Sequence, residues 1–348
     1  MIKKLCIISF ILTILITTTS CNVKEQKKYS AQFLELFNTV TEIVAYSDSK
    51  EDFSVLAQLI YDNLEDYHKL YDKYNDYPGI NNIKTINDNS GIKPVKVDKR
   101  IIDLLLFSKN VYQLSDGRVN IAMGSVLEIW HNYREEGIDN PESAKLPPMD
   151  QLEAANLHTD IDKLIIDETT STVYLSDKDM KLDVGAIAKG YATEQVCKIA
   201  KENGYKNFLL SVGGNVRSVG KKGPKRELWS VGIQNPDKTS EQKSLYTLSL
   251  TDLSLVASGN YERYYTVDGK IYHHIIDPAT LMPSEYFTAV SIICKDSGLA
   301  DALSTTIYNL PFEEGQALIE SLDDAEALWV FPDGEIKYTE NFEKLIKQ

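Results

Sequence analysis

Apolar positions along the chain change period several times, and each change marks an element. Over residues 51–74, Phe53, Leu56, Leu59, Ile60, Leu64, Tyr67, Leu70 and Tyr71 recur at helical spacing. Asp98 opens a second helix reaching about residue 114, with Ile101, Ile102, Leu105 and Leu106 as its apolar face. Residues 33–46 alternate loosely and predict a strand or the start of a hairpin. Residues 75–91 are rich in Asn, Asp, Pro and Gly, and residues 132–148 are polar, so both read as loops. Residues 183–203 begin as a loop and become a helix. Short apolar runs at 207–212, 229–233, 246–250, 255–258, 271–276 and 289–294 predict strands, and helices at about 298–308 and 311–322 close the pattern. No internal repeat or low-complexity linker interrupts the body. The expectation is one α+β domain, bilobal, with mixed or antiparallel sheets and flanking helices.

The N-terminus departs from this pattern. Met1-Ile-Lys-Lys is a basic start, residues 5–16 are almost wholly apolar, and Thr17-Thr-Thr-Ser-Cys21 supplies small residues. That is the layout of a secretory signal, and the apolar run is short for a membrane span. A cysteine after small residues points to a lipoprotein signal over residues 1–20, with lipid on Cys21 and the body on the extracytoplasmic face of the cell membrane. Thr18 stands where such signals usually place Leu, and plain secretion or an uncleaved anchor are the alternatives. Residues 21–30 read as a polar tether, leaving 31–348 as the folded domain.

Composition narrows the function classes. The 348 residues carry 51 Asp+Glu against 37 Lys+Arg, a formal net charge of −14. A nucleic-acid binder needs clustered bases on phosphates, so that class is excluded, and a polybasic membrane-surface protein is disfavoured. Of four cysteines, Cys6 lies in the signal and Cys21 is the lipid site. Cys197 and Cys294 sit in apolar settings and read as buried thiols rather than a disulfide or metal pair.

Four constellations carry chemistry. Asp183-Val-Gly-Ala-Ile-Ala-Lys-Gly190 runs into a helix, and small residues at a helix start with a lysine suit phosphate; the spacing is not that of a P-loop. Ser211-Val-Gly-Gly-Asn215 follows an apolar strand, and alone it means a hairpin turn. Ser258-Gly-Asn-Tyr-Glu-Arg263 precedes Tyr272-His-His-Ile-Ile-Asp-Pro-Ala-Thr280, in a chain with only five histidines. Adjacent histidines on a strand face opposite ways, so at most one of His273 and His274 looks into a given pocket. Asp301-Ala-Leu-Ser-Thr305 puts a carboxylate and a hydroxyl on one helix face, hard oxygen ligands suited to Mg2+. In isolation Asp301 reads as a helix cap. Nothing has the spacing of a zinc set.

Together the strings DVGAIAKGYA, LLSVGGNV, SGNYERYY, HHIIDPAT and ADALSTT, in this order, resemble the ApbE family of FAD:protein FMN transferases, over about residues 37–330. The resemblance implies a T-fold-related architecture and a Mg2+-dependent reaction. FAD is cleaved at its pyrophosphate, FMN is joined to a Thr or Ser of an exported or membrane-associated flavoprotein, and AMP leaves. It places the metal on the Ala186 carbonyl, Asp301 and Thr305. It places Lys189 near the flavin phosphates, and Thr39, Asp183, Gly213, Gly214, Ser258 and Gly259 along the FAD pocket. His274 matches the family's histidine and is the candidate base for the incoming hydroxyl, with Asp301 second.

Three departures from the family pattern stand out. Leu281 follows Thr280 where the family usually has glycine, Asn260 replaces an acid, and Asn120 and Ala122 replace an Asp and a Thr. Two other functions compete: a metal-dependent FAD pyrophosphatase releasing FMN and AMP, and a non-catalytic flavin-binding lipoprotein.

Overall fold

The computed structural model describes residues 26–347. The signal, Cys6, Cys21 and residues 22–25 of the tether lie outside the described residues. The chain enters through β1 (Lys27–Phe33) and β2 (Thr41–Ser47), an antiparallel pair joined through a 3-10 turn at Leu36–Asn38. Then come α1 (Lys50–Tyr71), α2 (Ile83–Asp88), β3 (Val95–Lys96), α3 (Lys99–Leu114), α4 (Gly124–Asp139) and α5 (Met149–Asn156). β4 (Leu164–Asp167) and β5 (Thr172–Leu175) lead to α6 (Ala188–Glu202), β6 (Phe208–Val212) and β7 (Asn215–Val219). Five strands follow: β8 (Trp229–Gln234), β9 (Ser244–Leu250), β10 (Ser254–Gly259), β11 (Tyr264–Val267) and β12 (Lys270–His273). The chain ends with β13 (Ala289–Cys294), α7 (Ser297–Tyr308), α8 (Phe312–Glu320), β14 (Glu326–Val330) and β15 (Ile336–Tyr338).

One antiparallel sheet of eight strands, ordered β1-β2-β6-β7-β10-β13-β14-β15, is the frame. On β13, Val290, Ile292 and Cys294 pack with Leu303 and Ile307 of α7. Ala289 and Ile293 of the same strand join Trp229, Val231 and Leu248 of the β8–β9 hairpin on the opposite face. A strand covered on both faces reads as an unbroken apolar run, which is why its predicted bounds hold. α1 and α6 cover the β2–β6 end of the sheet, where Ile43, Ile60, Leu64, Val196 and Phe208 form the larger core. The architecture is the expected α+β one.

Several elements differ from expectation. The predicted 132–148 loop is largely helix: α4 runs to Asp139, burying Val126, Trp130 and Gly137 while its outer face is polar. Polar composition masked a one-sided helix, and Gly137 is small because a Cβ there would lie 2.5 Å from the Tyr265 ring. The predicted 75–91 loop contains α2, nucleated by an Asn82–Thr85 capping box. The tether ends early, because Lys27 already pairs with Ser47. The predicted 271–276 strand stops at His273, where the chain leaves the β11–β12 ladder for an irregular turn.

Candidate active site

α6 and α7 cross so closely that the first and fourth constellations become one site. Gly190 makes this possible: a Cβ there would lie 2.3 Å from the Ser297 carbonyl oxygen and 2.5 Å from the Asp301 Cβ. The Gly190 N–H donates to Asp301 Oδ2 at 2.8 Å. A regular helix would have sent that N–H to the Ala186 carbonyl, which accepts no backbone hydrogen bond among the described residues. Lys189 Nζ lies 3.9 Å from Asp301 Oδ2. Burial pushes the Asp301 carboxyl above the usual range, opposed by Lys189 and the Gly190 N–H. Asp301 is not the helix cap: Asp296 is, accepting from the amides of Gly298 and Leu299. Behind the crossing, buried Glu194 accepts from Arg217 Nε at 2.9 Å, and the same oxygen accepts the Ser297 N–H, fixing the start of α7.

The second constellation is a two-residue hairpin turn between β6 and β7. Gly213 and Gly214 both take positive φ (57° and 89°), as a type I′ turn requires. A Cβ on Gly213 would lie 2.6 Å from Thr39 Oγ1, so the turn and the 36–40 segment touch. In the third constellation, His273 is buried, with Nε2 at 2.8 Å from the Ser284 carbonyl oxygen. His274 faces the other way, into a cavity, and its buried Nδ1 has no partner. Burial first, then the neighbouring Arg263, His273, Arg134 and Lys189, lowers its pKa to about 3, so it is a neutral imidazole at physiological pH. Ser258 Oγ pairs with Ser304 Oγ at 2.8 Å.

The candidate residues of all four constellations meet at one cavity of about 980 Å3. Thr39, Asp183, Ala186, Lys189, Gly213, Gly214, Ser258, Gly259, His274, Asp301 and Thr305 all line it. Asp183 is held by Lys73 Nζ at 2.6 Å and accepts the Gly185 N–H at 2.8 Å. Burial works to raise its pKa, but these two partners win and hold the carboxyl below the usual range. Ala186, Asp301 and Thr305 offer only oxygen, a donor set fitting Mg2+ rather than a soft metal. The open Ala186 carbonyl is the observation that makes the fit specific.

The structure adds wall residues that the sequence reading missed. Lys73, Arg118 and Arg134 add positive charge to that of Arg263 from the third constellation, and α4 contributes Leu127, Trp130 and His131. Arg118 donates to Asp277 Oδ1 at 2.9 Å, tying the 117–122 loop to the turn after His274. Helical spacing from Met123 through Leu127, Trp130 and Arg134 was a signal for the α4 wall; nothing local distinguishes Lys73 from other lysines. Asn120, replacing an acid of the family pattern, is structural here, donating to the Thr159 carbonyl and accepting the Ala122 N–H. Leu281, replacing glycine, keeps a left-handed backbone (φ 60°) and accepts Trp130 Nε1–H on its carbonyl at 2.9 Å. Cys197 and Cys294 are buried free thiols.

The model of the ApbE family matches residues 37–329. The chain is 32% identical over 268 residues to the FAD:protein FMN transferase of Treponema pallidum (strain Nichols), covering 73% of this chain and 72% of that protein. It is 30% identical over 267 residues to a protein of the same name from Klebsiella pneumoniae (strain 342), covering 75% and 80%. Among solved structures, the ApbE protein of Thermotoga maritima superposes with TM-score 0.80 at 27% identity, over 92% of this chain and 100% of that one. The apo flavinyl transferase ApbE of Pseudomonas stutzeri shares the fold, with TM-score 0.76 at 22% identity over 93% and 98%.

Proposed function

The chain belongs to the ApbE family, an enzyme family, and on that premise we propose that it transfers FMN from FAD to a Thr or Ser hydroxyl of a flavoprotein, releasing AMP. The acceptor is exported or membrane-associated, and the enzyme is held at the extracytoplasmic face of the cell membrane by lipid on Cys21. The observation that carries this reading is the open Ala186 carbonyl beside the buried Asp301 carboxylate, with Lys189 and His274 on the same cavity.

The residues divide the work. Lys189 meets the pyrophosphate, where positive charge stabilises the phosphorus centre as it is attacked. Ala186, Asp301 and Thr305 would hold Mg2+, which supplies charge neutralisation on the phosphates. The acceptor hydroxyl oxygen attacks the FMN phosphorus, the bond to the bridging oxygen breaks, and AMP leaves with that oxygen. His274 takes the hydroxyl proton: its imidazole is neutral at physiological pH, and bound phosphate cancels the repulsion from Arg263, Arg134 and Lys189 that adds to burial in weakening it as a base. Asp301, committed to the metal, is second choice. Thr39, Asp183, Gly213, Gly214, Ser258 and Gly259 shape the FAD pocket.

AMP release from FAD, with and without Mg2+ and with and without an acceptor flavoprotein, tests the reading, with covalent flavin read by in-gel fluorescence. Metal-dependent AMP together with labelled acceptor is the expected result. Free FMN without labelling would make the protein a pyrophosphatase, and bound FAD without AMP would leave only a carrier.

A further inference from the structure

We infer that His68, which belongs to none of the motifs, is a positioning residue for FAD: its Nδ1 holds the backbone amide of Phe37 and so keeps the 36–40 segment folded against the cavity. The inference rests on the reading that FAD occupies this cavity. Phe37, Asn38, Thr39 and Val40 line it. Phe37 and Asn38 are consecutive residues in left-handed backbone, with φ of 54° and 52°. Residues other than glycine keep that conformation only where surrounding contacts impose it.

Two clamps impose it. At one end, the Gly213 N–H donates to the Val40 carbonyl at 2.9 Å, and Thr39 sits against Gly213. At the other, the Phe37 N–H donates to His68 Nδ1 at 3.2 Å, and the Phe37 ring stands edge-on to the imidazole at 5.6 Å. Accepting on Nδ1 puts the ring proton on Nε2, which faces the Tyr77 oxygen at 3.4 Å. Tyr77 donates to Asp72 Oδ2 at 2.8 Å, and Asp72 is fixed by Asn75 Nδ2 and the Tyr74 amide. A continuous chain of hydrogen bonds thus runs from the end of α1 to the cavity wall.

The clamp works only with a neutral imidazole, because a proton on Nδ1 replaces the acceptor with a donor facing the Phe37 N–H. The groups facing His68 are Asp72, Glu65 and Lys69 from α1 and its end, and Tyr77 from the following loop. Burial, the largest influence, lowers the His68 pKa from its ordinary value and favours the clamped form. FAD affinity is therefore full above the His68 pKa and falls as pH drops through it.

The test uses the full chain in detergent, titrated with FAD by flavin fluorescence across a pH series, with transfer kinetics alongside. A wild-type protein that binds no FAD at any pH overturns the proposed function itself. Given wild-type binding, His68→Ala weakens FAD about tenfold, raising KM while kcat changes little, as loss of one half-buried acceptor predicts. His68→Asn places Oδ1 where Nδ1 stood. It restores affinity to within about twofold and removes the acid-side loss of binding, because an amide does not titrate. Wild-type affinity in His68→Ala, a His68→Asn protein as weak as His68→Ala, or an acid-side loss that persists in His68→Asn would each overturn the inference. Should the alanine variant fail to fold by circular dichroism, the asparagine variant's pH profile decides.

Discussion

The floor of the cavity and its rim are built on opposite conformational rules. At the floor, where α6 meets α7, Gly190 has ordinary helical backbone and is glycine because nothing larger fits against Ser297 and Asp301. At the rim, Phe37 and Asn38 occupy left-handed backbone that glycine would take more readily, as does Leu281, which supports the rim from behind by holding the indole of the lining residue Trp130. The floor is limited by space; the rim is limited by conformation, and its side chains are kept for their contacts. On the proposed function, chemistry sits where no adjustment is possible, and recognition sits where hydrogen bonds hold a strained chain in place.

Substitutions at the two places should separate these rules. Gly190→Ala has the largest effect, since its Cβ forces the helices apart and moves Asp301 from the Ala186 carbonyl. Transfer activity falls on the order of a hundredfold or more, and overpacking costs about 1–3 kcal/mol by denaturant melt. Lys73→Met comes next, leaving the Asp183 carboxylate buried without its cation, at about 3 kcal/mol. It also changes the pH profile. In the wild type, Asp183 is held below its ordinary pKa, so this pair's stabilisation is present above about pH 4 and is lost as pH falls through the lowered value. In Lys73→Met that acid-side loss disappears. Leu281→Gly has the smallest effect. Relief of left-handed strain, about 1 kcal/mol, offsets part of the roughly 2 kcal/mol lost with the buried side chain, so Tm drops a few degrees and activity stays near wild type. A catalytic collapse in Leu281→Gly, or its absence in Gly190→Ala, would erase the contrast between floor and rim.

The floor was the legible part of the sequence, because its residues come in contiguous strings whose small and charged members have local meaning. DVGAIAKG announces a helix opening, and the spacing of Asp301 and Thr305 puts them on one face. What sequence could not supply was the partner of each. Gly190 as donor to Asp301, Glu194 with Arg217, and Lys73 with Asp183 join residues distant along the chain. The α4 wall was lost for another reason: a helix with a wet outer face has the composition of a loop, and only the periodicity of its buried side distinguishes it. Phe37 carries no signal of left-handed backbone and Asn38 only asparagine's general tolerance of it, since the conformation is imposed from His68 and Gly213.

The hydrogen bond from Gly190 to Asp301 closes a separation of 111 residues. Its loop-closure entropy is met only when the strands that lie between α6 and α7 along the chain have already formed, so the Asp301 carboxylate and the Ala186 carbonyl are among the last features to converge during folding. A chain interrupted before α7 holds Lys189 but not the Asp301 carboxylate beside it. Competence for flavin transfer thus doubles as a report that the strands from β6 through β13 are in place.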